Sequence, residues 1–209
     1  PYNSLREYLT AIEAHGKLIK INQIDQDAYE LTGFMYKLID KYGWLDAPAV
    51  LVEKVKVSGE WMEGPILINQ YGMGGHEALV VGVPLDEIDP EDHILNYKKS
   101  LQKMMNEMPI EPMKTKEVKA SDAPSKEVVL KGDEIDILSF PFIQTNPADN
   151  GRFINTGNLI TIDPDGGRNV GTYRMQIKGP RKIGISPERN QDGWKALMAL
   201  KEKGEAHAN

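Results

Sequence analysis

The chain has no cysteine, which excludes disulfides and thiolate chemistry. It has no long uncharged apolar run, so no transmembrane helix is expected. The first residues, Pro1-Tyr-Asn-Ser-Leu-Arg-Glu7, lack an apolar signal region. It also has no excess of positive charge. The 25 Lys and Arg against 31 Asp and Glu leave a net charge of −6, which argues against a broad nucleic-acid-binding face. There is no His-x-x-x-His, no Glu-rich pair at metal-ligand spacing and no nucleophile elbow. The resulting expectation is a cytoplasmic protein with neither nucleic acid nor membrane as a partner.

What is present is an ordinary balance for a soluble chain of 209 residues, 40% hydrophobic and 27% charged. That length holds one large domain or two small ones. Ser4 and Glu7 form a capping box, and Leu5, Tyr8, Leu9 and Ile12 then share a helical face that Gly16 ends. Leu18–Ile21 reads as a strand. Residues 27–42 read as a helix with Leu31, Met35, Leu38 and Ile39 as its apolar stripe. Ala49–Val52 and Pro65–Ile68 read as strands. Pro90 and Glu91 open a helix reaching Glu107, with Ile94, Leu95, Leu101, Met104 and Met105 inside. Alternating helix and strand predict an α/β domain over residues 1–108. Residues 109–125, with three prolines and many charges, read as a connector. In residues 126–209 the pattern changes to strands at Glu127–Leu130, Asn158–Ile162 and Asn169–Ile177, separated by Gly/Pro/Asp turns. This predicts an antiparallel sheet or part of a barrel. Residues 195–208 read as a helix, and their lack of a closing turn fits either a frayed terminal helix or a chain that is part of something larger.

The chemistry-bearing stretch is Asp163-Pro-Asp-Gly-Gly-Arg-Asn-Val-Gly-Thr-Tyr-Arg-Met-Gln-Ile177. Its first five residues predict a hairpin turn. The following strand carries Asn169 and Arg174, which alternation puts on opposite faces, so a shared site needs a bulge, for which Gly171 is a candidate. An arginine on a strand wall binds carboxylate or phosphate with two parallel hydrogen bonds, and an Asn carbonyl can ligate a hard cation. An exposed Arg on a solvated strand accounts for the pattern as well. Thr156 in Asn155-Thr-Gly-Asn158 is a candidate anion contact. Gly72-Met-Gly-Gly75 reads as a loop without dinucleotide spacing. His76 after it and His15 at a helix end read as ordinary structural residues.

The segment Asn169-Val-Gly-Thr-Tyr-Arg-Met-Gln176 resembles the UbiD family of reversible decarboxylases. So do Leu5-Arg-Glu-Tyr-Leu9, Leu67-Ile-Asn-Gln-Tyr-Gly72, Ile137-Leu-Ser-Phe-Pro141 and Gly151-Arg-Phe-Ile-Asn-Thr-Gly157, in matching order along nearly the whole chain. The resemblance implies an α/β N-terminal domain followed by the first part of a predominantly antiparallel, flavin-reductase-like split β-barrel. It implies prenylated FMN as cofactor, with a divalent metal (Mn²⁺ or Mg²⁺) and K⁺. It implies a carboxy-lyase that removes or adds CO₂ on an aromatic or α,β-unsaturated acid, a homo- or hetero-oligomer, and a flavin prenyltransferase as supplier of the cofactor. The modified flavin acts as the electron sink while the protein orients the substrate. By the same resemblance Asn169 is the metal-binding Asn, Arg174 contacts the substrate carboxylate, and Val170, Gly171, Thr172 and Tyr173 lie along the flavin. Thr156 matches a phosphate-side Thr.

Two departures from the family pattern stand out. The loop after this strand, Ile185-Ser-Pro-Glu-Arg-Asn-Gln-Asp-Gly193, lacks the metal-binding His; Asn190 is nearest that position, with Glu188 and Asp192 as further oxygen donors. The family's acidic residues for metal and proton transfer lie beyond residue 209, so a longer chain or a partner is expected to complete the site. An assembly subunit that has lost the standard metal site, and a split-barrel protein using ordinary flavin for redox work, are the alternatives.

Overall fold

In the computed structural model, Ser4 caps the first helix as its spacing to Glu7 predicts. The Glu7 backbone N–H donates to the Ser4 hydroxyl at 3.2 Å, opening α1 (Leu5–Ala14). Gly16 leaves it with a φ of +67°, the left-handed stop that glycine adopts without a Cβ clash. The structure describes residues 2, 4–73, 75–89, 91–107, 116–162 and 167–204. They divide into two compact units, residues 1–129 and 130–209.

In the first unit β1 (Leu18–Asp25) runs parallel to β2 (Ala49–Val57), joined through α2 (Glu30–Tyr42), and β2 pairs antiparallel with β3 (Glu60–Ile68). A parallel pair needs such a crossover. The β2–β3 connection is a tight hairpin whose turn residues, Ser58 and Gly59, both have positive φ. Val50, Val52 and Val55 of β2 are fully buried, as expected of a central strand. Tyr8 and Ile12 of α1 pack on Ala49 and Leu79, and the Tyr8 hydroxyl donates to the Gln70 carbonyl at 2.6 Å. Leu5, placed on the same face by its spacing, is half exposed.

α2 starts three residues later than its periodicity suggests, because Asp27 is used elsewhere. Its two carboxylate oxygens accept from the Ser58 and Gly59 N–H groups, both at 2.7 Å, and so clamp the β2–β3 turn. Asp27→Ala should lower stability by about 1–2 kcal/mol. Urea denaturation checks this: an unchanged midpoint would show that the turn holds itself.

Two sequence expectations are corrected. The helix expected from Pro90 forms as α4 (His93–Glu107), but Ile94 and Met105 are 69% and 78% exposed, and Leu95, Leu101 and Met104 are exposed too. The buried residues are Asn96 and Ser100. Asn96 accepts from the Asp89 N–H at 2.8 Å and donates to the Asp89 carbonyl at 2.6 Å, and the Ser100 hydroxyl donates to the Asn96 carbonyl at 2.9 Å. A satisfied polar seam therefore decides which side of α4 faces inward. Glu127–Leu130 pairs with no strand, and Val128 is 74% exposed; apolar residues without a neighbouring strand do not make a sheet edge. Of the expected connector, residues 109–115 lie outside the described residues, and the rest makes short 3₁₀ turns at Ala120–Asp122 and Pro124–Lys126.

The second unit carries an antiparallel sheet in the order β4 (Phe153–Ile162), β5 (Arg168–Gly179), β6 (Lys182–Ile185), with α5 (Asp192–Glu202) beside β4 and β5. β4 and β5 pair down to Ile162 opposite Arg168; residues 163–166 of the expected turn lie outside the described residues. β6 was not anticipated. α5 begins three residues before the expected helix, and its expected end at residues 205–208 also lies outside the described residues. Arg152 ties the chain ahead of β4 together: its guanidinium donates to the carbonyls of Phe142 at 2.7 Å, Leu138 at 3.1 Å and Phe140. Among the described residues no helix is long and apolar enough to cross a membrane.

Candidate functional site

β5 alternates cleanly. Tyr173 and Ile177 are buried and Asn169, Gly171 and Met175 half-buried, whereas Val170, Thr172 and Arg174 are exposed. Asn169 and Arg174 therefore lie on opposite faces. β5 stays in register with β4 from Arg168 to Tyr173, so there is no bulge at Gly171. The irregularity is on the partner strand: between the Ile154–Met175 and Gly157–Tyr173 pairs, β4 has one residue more than β5. Asn155 and Thr156 are consecutive exposed residues there, as a bulge leaves them.

The bulge serves Arg174. Arg174 Nε donates to Asn155 Oδ1 at 2.9 Å. Nη1 and Nη2 donate to the two carboxylate oxygens of Asp149 at 2.9 and 2.5 Å, and Nη2 also donates to the Thr145 hydroxyl at 3.3 Å. The guanidinium carbon sits 3.9 Å from the centre of the Phe153 ring, a stacked cation–π contact. Four of the five N–H groups are thus engaged among the described residues, and one Nη1 hydrogen remains for a ligand. The hydrogen bond to Asp149 pushes the arginine pKa further up, outweighing burial. In turn the hydrogen bonds from Arg174 hold the Asp149 carboxyl below the usual carboxylate range, against burial acting the other way.

The sign of the pH effect follows from that direction. A carboxyl whose folded pKa lies below its unfolded value stabilises the fold above about pH 4 and loses that contribution as pH falls through the folded value. Between pH 6 and pH 3 the urea midpoint of the second unit should fall further in the native chain than in Asp149→Asn. Equal falls would remove the pair as the cause.

Arg174 borders an open cleft of about 490 Å³ together with Phe153, Thr172, Gln176, Lys178 and Ser186. That volume suits a small organic molecule. Tyr173 and Glu188 also line it, while Thr156, Asn169, Val170, Gly171 and Asn190 do not. Val170 does share the Arg174 face and is 59% exposed, as is Ile160 opposite it. Thr172 donates to Asn158 Oδ1 at 3.1 Å. Asp149, Thr145, Asn155 and Phe153 were not singled out as site residues by sequence reasoning. The two polar residues Asn155 and Thr156, adjacent in a strand opposite a lone Arg, were the available signal. Asn190 and Glu188 are exposed on the loop after β6. Among the described residues no group of three His, Cys, Asp or Glu side chains could hold a metal ion.

Comparison with known proteins gives consistent results. Residues 116–208 match the family model UbiD, described as the 3-octaprenyl-4-hydroxybenzoate carboxy-lyase Rift-related domain. A phenolic acid decarboxylase of Escherichia coli O157:H7 is 26% identical over 213 residues, covering 98% of this chain and 41% of that protein. The vanillic acid decarboxylase of Sedimentibacter hydroxybenzoicus (ShVdcCD), in closed form, superposes with a TM-score of 0.77 at 25% identity, over 98% of this chain and 41% of its own. The UbiD-class enzyme HmfF from Pelotomaculum thermopropionicum, in complex with FMN, does so with a TM-score of 0.72 at 25% identity, over 96% and 40%. The chain thus spans about two fifths of the length of these relatives.

Proposed function

We propose, on the premise that this chain belongs to the UbiD family as its N-terminal portion, that it forms part of a prenylated-FMN-dependent decarboxylase or carboxylase of aromatic or α,β-unsaturated acids. The observation that carries this reading is Arg174, stacked and clamped on the wall of an open cleft with one N–H left for a ligand.

The residues present fit a flavin. A flat ring would find the exposed apolar pair Val170 and Ile160 on the same face as Thr172 and Arg174. Lys178 and Ser186, which line the cleft, would supply donors to a phosphate. The bound cofactor would supply an electron sink for the pair released as CO₂ leaves. Arg174 cannot act as the acid, because its pKa is raised from a value already far above neutrality. Its task is to bind and orient: one directed N–H meets the substrate carboxylate, while Asp149 balances the charge and, with Asn155 and Phe153, fixes the guanidinium so that no reorganisation is needed when substrate arrives.

The metal is a different matter. Asn169 sits on the face away from Arg174, and Asn190 and Glu188 are isolated oxygen donors. These residues do not make a Mn²⁺, Mg²⁺ or K⁺ site by themselves, and no step is assigned to an ion. Within the family reading, the remaining ligands come from the rest of the enzyme or from a second subunit in a homo- or hetero-oligomer. That shortfall favours the second reading, an assembly subunit without metal. Flavin absorbance and metal content of the complete enzyme, after supply of prenylated FMN, separate the two. Flavin bound at one equivalent per chain supports the catalytic reading; absence of both cofactor and metal supports the assembly reading.

A further inference from the structure

The first unit contains a cleft of about 280 Å³ that the proposed reaction does not use. Three histidines line it, His15, His76 and His93, and the last two are each the first residue of a helix: His76 opens α3 (His76–Val80) and His93 opens α4. His76 is 2% exposed, and neither ring nitrogen has a hydrogen-bond partner. The nearby groups are spoken for. Tyr8 meets the imidazole edge-on at 6.2 Å, but its hydroxyl already donates to the Gln70 carbonyl. That carbonyl falls short of hydrogen-bonding geometry with His76 and only partly offsets the burial that pushes the His76 pKa down to about 4. His76 is therefore neutral at pH 7, with one N–H and one bare nitrogen both unmatched. His93 Nδ1 is buried and unmatched too, while its Nε2 faces Asp46 at 3.6 Å.

His76 and His93, both lining the cleft, thus carry three unmatched ring nitrogens, and each buried polar group without a partner costs roughly 1–3 kcal/mol. Such groups in a native fold call for a bound partner, water or a small molecule. A metal ion is not that ligand: among the described residues no three His, Cys, Asp or Glu side chains converge. The walls instead ask for an apolar body, since Met73, Leu79 and Ile88 contribute to them. The charged lining is of mixed sign, with Lys17 against Asp46 and Asp89. Asp89 is already engaged by the Glu91 and Asp92 N–H groups at 2.9 and 3.0 Å, and His15 by the Ala11 carbonyl at 2.6 Å. A net ionic ligand gains little there and would lose its hydration.

We propose that this cleft binds a small uncharged molecule with a hydrocarbon body and two hydroxyl groups, one for His76 and one for His93. A hydroxyl both donates and accepts, so it pairs with a ring nitrogen in either tautomer, and two hydroxyls match two of the three nitrogens. The site lies in the first unit and stands or falls independently of the flavin reading.

The test is a titration of the whole ¹⁵N-histidine-labelled chain with trans-1,2-cyclohexanediol, read through the imidazole nitrogens. The expected result is a saturable millimolar shift at both His76 and His93, and little at His15. Cyclohexanol, with one hydroxyl fewer, should bind about tenfold more weakly, the loss of one good hydrogen bond. His76→Phe keeps the edge-on packing on Tyr8 and should weaken the diol titration read at His93 about tenfold; should that variant fail to fold, His93→Phe should weaken the titration read at His76 to the same extent. No shift with the diol, or equal affinity for diol and cyclohexanol, overturns the proposal and leaves the nitrogens to water.

Discussion

If the proposed function holds, replacing Arg174 by alanine in the full-length protein should reduce decarboxylation turnover by ~10³-fold while most of the flavin stays bound. The size of the loss follows from what the side chain is arranged to do. A guanidinium held on three sides is preorganised: two hydrogen bonds to Asp149, one to Asn155 and the Phe153 ring beneath it leave one direction open. On that reading, removing it takes away the directed donor that would meet the substrate carboxylate. On the same reading, Lys178 would still be available to the cofactor, so the flavin is expected to stay. Asp149→Asn separates positioning from charge. It keeps one acceptor but loses the bidentate pair, so the guanidinium gains freedom; we expect turnover to fall ~10-fold with a larger effect on kcat than on KM. Asp149→Glu should recover little, because one added methylene moves the carboxylate off the fork. Single-turnover kinetics with prenylated FMN supplied is the measurement. Turnover unchanged in Arg174→Ala would falsify the assigned role, and loss of flavin in the same variant would move Arg174 from substrate to cofactor.

The contrast between Asn169 and Arg174 shows what was legible in the sequence. Period-two alternation placed them on opposite faces, and the register from Arg168 to Tyr173 bears this out. Alternation could not place the bulge, because a bulge is a property of two strands. Gly171 was an economical guess, yet the extra residue sits in β4 at Asn155 and Thr156. Asp149 was hidden for a related reason: 25 residues separate it from Arg174, and nothing local marks a loop Asp as the partner of a strand Arg. The helices were readable where a stripe met a core, as Tyr8, Ile12, Leu31 and Leu38 do. α4 was misread because its apolar stripe is real but exposed, while Asn96 bonding to Asp89 sets the inward side. Periodicity reports that a helix has two faces; hydrogen bonds to distant backbone can choose between them. The family resemblance, carried by short motifs in order, was the strongest signal, and the match over residues 116–208 supports it.

Gly171 then needs another explanation than a bulge, and packing supplies it. A Cβ built at this position would lie 2.5 Å from Tyr173 Cε2 and 3.1 Å from its hydroxyl. The ring cannot retreat. On its other side a Cβ at Gly193 would lie 2.6 Å from the same hydroxyl, which already accepts from the Gly193 N–H at 3.2 Å. Tyr173 is thus wedged between β5 and the first turn of α5 by two glycines, and 8% of it is exposed. Gly171→Ala should destabilise the second unit by about 2 kcal/mol, the overpacking cost less the small gain of replacing glycine in a strand. For a unit of this size that lowers the melting temperature by roughly 10 °C, and Gly171→Val should lower it further. Pairing Gly171→Ala with Tyr173→Leu tests the mechanism, since the shorter side chain makes room for the new methyl. The double variant should be more stable than the sum of the two single losses, by about 1 kcal/mol or more. Strict additivity would show that Gly171 is required by its backbone and not by the ring beside it.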